Sequence, residues 1–204
     1  MLGLPSTTEC NMRITKQKFY ENLNVTPALK QLFIKQIDSV YWTNKLSAET
    51  INASEGKYVD EIEVFHVKLT SKDIDEKVLQ QIDKGIPYQI LYVLEHDKKY
   101  KLCIAYKQQS KVVQYFYLDW NNIEPTVKLM GLNLDDIYEN FIRLIARGKL
   151  TDVSLDEAVL KYQYKLKAEK EIERLEKLAR KEVQPKKKFE YVQEINNLKE
   201  KYNA

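Results

Sequence analysis

Two amphipathic segments separated by a proline constrain the fold of this chain more than any other feature of its sequence. Over residues 155–166, and again over 172–179, apolar side chains recur every three or four positions, and residues 191–202 repeat this spacing. Such spacing places the apolar side chains along one side of an α-helix. Pro185 must interrupt the helix, because its ring clashes with the preceding turn. The sequence therefore predicts two antiparallel helices that pack along their apolar sides.

The predicted second helix is shorter than the first, so it covers only the distal part of the first helix. A capping box formed by Ser154 and Glu157 is expected to open the first helix. The apolar residues that follow this box need another covering surface, either the globular body or a partner chain. We predict that these apolar residues, which are Leu155, Val159, Tyr162 and Leu166, bind a partner.

The net charge of the chain lies entirely in this C-terminal region. Residues 1–153 contain 20 basic and 20 acidic side chains, whereas residues 154–204 contain 13 basic and 10 acidic ones. The densest basic cluster is Lys186, Lys187 and Lys188. Lysines that contact phosphates release counterions and so favour nucleic-acid binding. The cluster is therefore a candidate nucleic-acid contact, with a solvated helical tip as the alternative.

The rest of the chain has the pattern of an α+β domain. Segments rich in β-forming residues predict about five strands, at residues 40–43, 61–69, 88–94, 100–107 and 112–118. The last three follow each other at short spacing, which predicts an antiparallel meander. Helices are expected to begin after Thr26, Ser71 and Asn133. We therefore expect a globular domain over residues 1–150, with a mainly antiparallel sheet and flanking helices, and a charged helical hairpin over residues 151–204.

Patterns typical of catalysis are missing from the sequence. Five scattered glycines form no phosphate-binding loop, and no Gly-x-Ser-x-Gly elbow occurs. Cys10 and Cys103 fit no metal-ligand spacing. We therefore expect neither a cofactor nor a metal, and an ATP-dependent step would belong to another protein.

Two polar features of the body are candidates for a site. Lys45, Thr50 and Asn52 lie in a polar segment that binds a phosphate or a partner backbone, or else caps and turns the chain. Glu61 and Glu63 share one face of a predicted strand. Metal-dependent nucleases hold Mg²⁺ with carboxylates on adjacent strands, so these two residues are candidates for such a site. However, no strand contains the Glu-x-Lys or Asp-x-Lys pattern of a restriction-type site. A divergent nuclease is therefore only an alternative interpretation.

Both histidines are predicted to be structural. His96 lies between Glu95 and Asp97, but consecutive strand residues point to alternate faces, so these three side chains cannot converge on one ion. A polar hairpin turn explains them better. His66 alternates with apolar residues on a strand, which is typical of a half-buried, hydrogen-bonded histidine.

The expected location is the cytoplasm. The first residues show no basic segment followed by an apolar one, and no window approaches the roughly 20 apolar residues that span a bilayer.

Several segments together resemble one family of bacterial and archaeal proteins, a domain of unknown function. The resembling stretches are TPALKQLFIKQI, VYWTNKLSAETIN, EIEVFHVKL, IDEKVLQQIDKGIPYQILYVLEHDKKYKLCIAYK and KKFEYVQEINNLKEK, which cover most of the chain. Members of that family are often encoded beside helicases and DNA methyltransferases of the type III restriction–modification kind. The resemblance implies an accessory role in defence against foreign DNA, and it implies no catalytic residues.

The sequence as a whole predicts a non-catalytic accessory or interaction protein. Its expected partner is a helicase–methyltransferase complex of a phage-defence or restriction–modification system, or a second copy of the chain. The alternatives are a nucleic-acid-binding protein that uses the basic hairpin tip, and a divergent metal-dependent nuclease.

Overall fold

A computed structural model of the chain describes residues 2–21, 25–121 and 125–202. The chain divides into two compact units, Met1–Gly148 and Lys149–Ala204. The first unit contains a sheet with helices, and the second consists mainly of two helices.

The sheet has six strands, and their order in the sheet is their order in the chain. They are β1 (Glu9–Ile14), β2 (Ile37–Leu46), β3 (Ile62–Leu69), β4 (Gln89–His96), β5 (Lys99–Gln108) and β6 (Lys111–Asn121). Neighbouring strands are antiparallel except for the parallel pair β3–β4. The predicted α+β class, with a mainly antiparallel sheet, is confirmed, and so is the meander of the last three strands.

β1 is the strand that the sequence did not predict. It pairs only with β2, at the edge of the sheet, and most of its side chains are exposed. The pairing is irregular between Glu9 and Met12, and Asn11 has a positive φ of 50°. An exposed edge strand interrupted by a bulge carries no alternation of apolar and polar residues, so its sequence gives little signal.

The first unit also contains helices that connect the strands or pack against the sheet. They are α1 (Lys18–Glu21), α2 (Pro27–Gln36), α3 (Ala48–Ile51), α4 (Glu76–Gly85) and α5 (Leu134–Ala146). α4 is the crossover that the parallel pair β3–β4 requires. Its buried side chains join those of α2 and one sheet face in a core that includes Phe33, Phe65, Ile82 and Tyr92.

Side-chain caps fix most of the helix starts. Thr26 accepts a hydrogen bond from the backbone of Leu29 at 3.3 Å, and Asn133 caps α5, as predicted. The predicted start after Ser71 is wrong, because α4 begins at Glu76. Its cap is Asp75, which accepts from the Lys77 backbone at 2.9 Å. The Ser71 hydroxyl instead donates to a nearby carbonyl in a local turn.

The second unit is a helical hairpin of α6 (Leu155–Lys181) and α7 (Pro185–Tyr202). Ile172, Leu175 and Ile195 form its buried core, with Tyr191 and Leu198 packed against them. The rings of Tyr164 and Tyr202 stack at 6.5 Å, so the end of α7 lies beside the middle of α6. Pairing over the distal part of α6 is therefore as the sequence predicts.

The start of α6 differs from the prediction. Ser154 occupies the cap position of this helix, but its side chain makes no capping hydrogen bond. The predicted capping box with Glu157 is therefore wrong. Within the described residues, no helix is both long enough and apolar enough to cross a membrane.

Candidate functional site

Lys45, Glu61 and Glu63 lie together at one end of the sheet, and we call them the carboxylate cluster. Lys45 Nζ lies 2.6 Å from Glu61 Oε1. Lys45 is directly opposite Glu63 in the pairing of β2 with β3, so both side chains are on the same face. The Glu61 carboxylate is close enough to Glu63 to raise the pKa of the Glu63 carboxyl group. Three of the five predicted polar-site residues are thus brought together.

A bulge in β2 sets this arrangement. Trp42 pairs with Phe65 and Asn44 with Val64, so β2 carries one extra residue between these two pairs. Side chains of a regular strand alternate between faces, which would place Lys45 on the face opposite to Trp42. The extra residue reverses the alternation and turns Lys45 towards Glu63.

Thr50 and Asn52, the other two predicted polar-site residues, shape the turn that follows β2. Ser47 and Thr50 form a capping box at α3, and the Thr50 hydroxyl donates to the Lys45 carbonyl at 2.9 Å. Asn52 ends α3 in the left-handed conformation, with a φ of 51°, and is exposed. Their geometry matches the capping alternative that the sequence left open.

The loop that leads into Glu61 is fixed by one carboxylate. Asp135, in the first turn of α5, accepts backbone hydrogen bonds from Lys57, Tyr58 and Val59 at 2.6, 3.1 and 2.8 Å. A Cβ at Gly56 would lie 2.5 Å from the Val59 carbonyl oxygen, so the loop has room only for glycine there. Glu61 therefore enters β3 from an anchored loop.

Glu63 is the most perturbed carboxyl group of the cluster. Its side chain is buried, with 4% of the residue exposed, and Oε2 has no hydrogen-bond partner among the described residues. Burial, and then the nearby Glu61 carboxylate, raises the pKa of Glu63 to about 7. A carboxyl group with such a pKa gains and loses a proton near neutral pH, as general acids and bases do.

Other groups that could perform chemistry are poorly placed for it. Burial raises the pKa of the Cys10 thiol, and it raises the pKa of Cys103 well above its ordinary value, so both stay protonated at neutral pH. Among the described residues, no three His, Cys, Asp or Glu side chains are grouped to hold a metal ion. The metal-dependent nuclease that uses Glu61 and Glu63 stays a prediction.

The two histidines have separate partners. His66 Nε2 lies 2.6 Å from Glu95 Oε2 across the parallel strands, and His66 is buried. His96 Nε2 lies 3.3 Å from Asp97 Oδ2. Asp97 and Lys98 both have positive φ and form the hairpin turn between β4 and β5. Glu95, His96 and Asp97 do not converge on one point.

A buried ion pair was missed by the sequence reasoning. Asp83 Oδ1 and Lys107 Nζ lie 2.8 Å apart, and each side chain is 2% exposed. Asp83 Oδ2 also accepts hydrogen bonds from Tyr92 and Tyr115 at 3.1 and 2.5 Å, while Lys107 donates to the Tyr88 carbonyl at 2.8 Å. Burial, followed by the Asp83 charge, raises the pKa of both tyrosines. These two phenols therefore remain hydrogen-bond donors.

A sequence signal for this pair exists. Asp83 falls at helical spacing with Leu79 on the apolar face of α4, and Lys107 continues the alternation of Cys103 and Ala105 along β5. A single charged residue of each sign within two otherwise buried patterns indicates a partner for each of them.

The second candidate surface is the hairpin tip, which we define as residues 182–192. Lys186, Lys187 and Lys188 are exposed there and belong to the first turn of α7, since the helix begins at Pro185. The sequence had placed the second helix after them. The Glu182 carboxylate accepts backbone hydrogen bonds from the next two residues, which lower its pKa and order the connection.

Apolar side chains are also exposed at the hairpin tip. Val183 is 91% exposed, Phe189 62% and Val192 41%. Phe189 and Val192 are three residues apart on α7 and so lie on neighbouring positions of one helix face. The hairpin tip thus presents apolar and basic groups together.

The α6 side chains that the sequence predicts to bind a partner are less exposed than those of the hairpin tip. Val159 is only 1% exposed, and Leu155, Tyr162 and Leu166 are partly buried. The Lys149 ammonium lies 5.8 Å from the centre of the Tyr162 ring. That these four residues bind a partner stays a prediction, but Val159 contributes almost no exposed area to such a surface.

The fold and the two candidate surfaces define an α+β domain with a mixed six-stranded sheet, followed by a charged helical hairpin. The chain belongs to the family described as Domain of unknown function (DUF4391), whose model matches residues 2–201. No curated protein and no solved structure matches the chain. Membership in a family of unknown function, which the resemblance indicated, is confirmed.

Proposed function

We propose that the chain is a non-catalytic accessory protein that binds a protein partner through the hairpin tip. The observation that carries the proposal is the exposure of Val183, Phe189 and Val192 beside Lys186–Lys188. Clustered exposed apolar side chains mark interaction surfaces, and an aromatic residue commonly anchors them.

The charge of the hairpin tip restricts the partner. Three adjacent lysines repel basic surfaces and attract acidic ones, which steers encounter and excludes wrong partners. The partner surface is therefore acidic, with an apolar pocket that accepts Phe189. A second copy of the chain would bring the same three lysines to the contact, so it fits this surface less well.

The family resemblance supports a particular partner. Genes for helicases and DNA methyltransferases of the type III restriction–modification kind often neighbour members of this family. We propose that such a complex, in a cytoplasmic system for defence against phage or other foreign DNA, is the partner that the hairpin tip binds.

The replacement of Phe189 and Val192 by serine is expected to release the partner. Loss of a buried aromatic anchor costs about 2 kcal/mol or more, which weakens binding by roughly 30-fold. The measurement is affinity purification of the tagged full chain from its native host, with quantification of the co-purified helicase and methyltransferase. Gln193→Ser and Glu194→Ser on the same exposed helix turn are the matched controls. Absence of both partners from the wild-type eluate would contradict the proposal. Equal retention of the partners by the wild type and by the variant with Phe189→Ser and Val192→Ser would contradict it as well.

Nucleic-acid binding is the second candidate function. The observation that favours it is the position of Lys186–Lys188 in the first turn of α7, where the helix dipole also attracts anions. Phosphates would then be held by side chains and helix end together.

Charge reversal at Lys186, Lys187 and Lys188 is expected to abolish DNA or RNA binding. Each lost phosphate contact reduces the steepness of the fall of log affinity with log salt by about 0.7–0.9. Gel shifts at several salt concentrations measure this slope. Lys165, Lys170 and Lys181 replaced by Glu provide a control with the same change in net charge, since these lysines are exposed on α6. No shift of the wild-type chain at low salt, or an equal loss in the control, would rule out the lysine cluster as the contact.

A further inference from the structure

We propose that Asp83 and Lys107 become joined by an isopeptide bond, an amide between the Lys107 amine and the Asp83 carboxyl group, after the chain has folded. The ion pair between these two residues is the precursor of the bond. The proposal is independent of the hairpin tip and of its partner. It rests on the close approach of the two groups, on their burial and on the two hydroxyl groups that hold the carboxylate.

The two reacting groups are already in contact. Lys107 Nζ lies 2.8 Å from Asp83 Oδ1. Since a C–O bond is about 1.2 Å long, Nζ is at most about 4 Å from the carboxyl carbon Cγ, which is close to the roughly 3–3.5 Å of a near-attack conformation. Oδ1 has no hydrogen-bond partner among the described residues, so Nζ approaches it without hydrogen-bond geometry. The Tyr88 carbonyl, which accepts from Nζ at 2.8 Å, keeps the nitrogen in place.

Burial favours the amide over the ion pair. Each of the two side chains is 2% exposed, and Cys103 and Ala105, on the same face of β5 as Lys107, belong to the buried apolar core. Desolvation opposes both charges of the ion pair, whereas an amide carries none. Transfer of one proton from Nζ to Oδ1 leaves an uncharged amine, which is a nucleophile, beside a carboxylic acid. With water excluded, the reverse hydrolysis is suppressed as well.

The reaction is a dehydration whose atoms balance without a co-reactant. The Nζ lone pair forms a bond to Cγ, and the electron pair of the Cγ=Oδ2 double bond moves onto Oδ2. Tyr92 and Tyr115 donate hydrogen bonds to Oδ2 at 3.1 and 2.5 Å, so negative charge develops where two donors already point. The double bond then forms again as the Cγ–Oδ1 bond breaks. Oδ1 leaves as water, with two protons that came from the lysine ammonium.

A second contact between a lysine and a carboxylate provides an internal control. Lys45 Nζ lies 2.6 Å from Glu61 Oε1, but these side chains are 35% and 18% exposed. Water there stabilises the ammonium and the carboxylate, so we expect this contact to remain an ion pair.

Intact-mass spectrometry of the denatured full-length chain tests the proposal. We expect the wild type to be lighter than its sequence by the mass of one water molecule. Trypsin should release residues 78–84 joined to residues 102–111, because it does not cleave after an acylated lysine, and Lys45 should be recovered unmodified. Lys107→Arg keeps the positive charge, but a guanidinium group does not give up its proton, so this variant should keep its full mass.

Tyr115→Phe tests the part played by the hydroxyl groups. It removes one donor to Oδ2 and is expected to slow bond formation by about a hundredfold, measured as the bonded fraction at successive times after cell-free synthesis. Circular dichroism confirms that each variant is folded. An unchanged rate would contradict the role of the hydroxyl groups in the reaction.

The wild-type mass decides the proposal even where a variant does not fold. A wild-type chain that keeps its full mass after prolonged incubation in the folded state overturns the proposal. Loss of water that persists in the Lys107→Arg variant overturns it as well, because the dehydration would then involve another residue, as in the cyclisation of an aspartate.

Discussion

Replacement of Lys107 by methionine is expected to lower the free energy of unfolding by about 3–5 kcal/mol. The reason is the Asp83 carboxylate, which would remain buried without its cation. Desolvation of an unpaired charge costs more than the lost attraction, and two tyrosine hydroxyls alone do not neutralise Asp83. Methionine fills a volume similar to that of the lysine stem, so the change removes the charge rather than the packing.

Urea unfolding followed by circular dichroism measures this effect. Lys177→Met is the matched control, because Lys177 pairs with Glu173 at 2.6 Å on an exposed helix face. A pair this exposed contributes little to stability, because water and salt screen the two charges. Adding Asp83→Asn to Lys107→Met should restore part of the lost stability, since no charge is then buried. Equal losses for Lys107→Met and Lys177→Met would show that the pair at Asp83 is not desolvated.

Stability is expected to fall as the pH rises through the range in which Glu63 ionises. The unfolded chain releases this proton near the ordinary pKa of 4.5, whereas the folded chain keeps it up to a pKa of about 7. The folded state therefore binds more protons between these values, and its stabilisation is complete below about 4.5 and lost above about 7. The difference amounts to about 3 kcal/mol, because each unit of pKa shift corresponds to about 1.4 kcal/mol.

Glu63→Gln isolates this contribution from all other titrating groups. Unfolding free energies of the wild type and the variant, measured near pH 5 and near pH 8 in EDTA, give the pH dependence of each. The glutamine variant should lose less stability between the two pH values, and at the higher pH it should be the more stable protein. Parallel curves for the two proteins would contradict the burial of Glu63.

The elements with strong periodic patterns were predictable from the sequence. The apolar run of β4, the cap at Asn133 and the spacing of Ile172, Leu175 and Ile195 each depend on residues close together in the chain. Local pattern and tertiary packing agree in these elements, so either one leads to the same structure.

The predictions that failed concern residues whose type is compatible with more than one local structure. Ser71 and Ser154 both have the residue type of a helix cap, yet one bonds within a turn and the other makes no capping bond. Pro185 opens α7 instead of merely ending α6, which moves the lysine cluster into the helix. Proline is suited to a first helical position, and that preference also predicts the observed start.

The candidate site could be predicted only in part. Its residues were identifiable as polar groups near strands, but their contact depends on pairing between β2 and β3, which residue types alone do not determine. The Asp83–Lys107 pair joins residues 24 positions apart from a helix and a strand. Its discovery needed the tertiary structure, although each residue interrupts an apolar pattern.

The bulge in β2 means that the carboxylate cluster depends on a count of residues as well as on their identity. Thr43 is part of that count, and its hydroxyl donates to the Val64 carbonyl at 3.2 Å. Loss of Thr43 alone would make the pairing regular and would leave Lys45 opposite Glu63. One further residue between Trp42 and Asn44, without a second bulge, would instead place Lys45 opposite Ile62 and turn it to the other face. The bulge therefore makes the cluster tolerant of a deletion at this point but sensitive to an insertion.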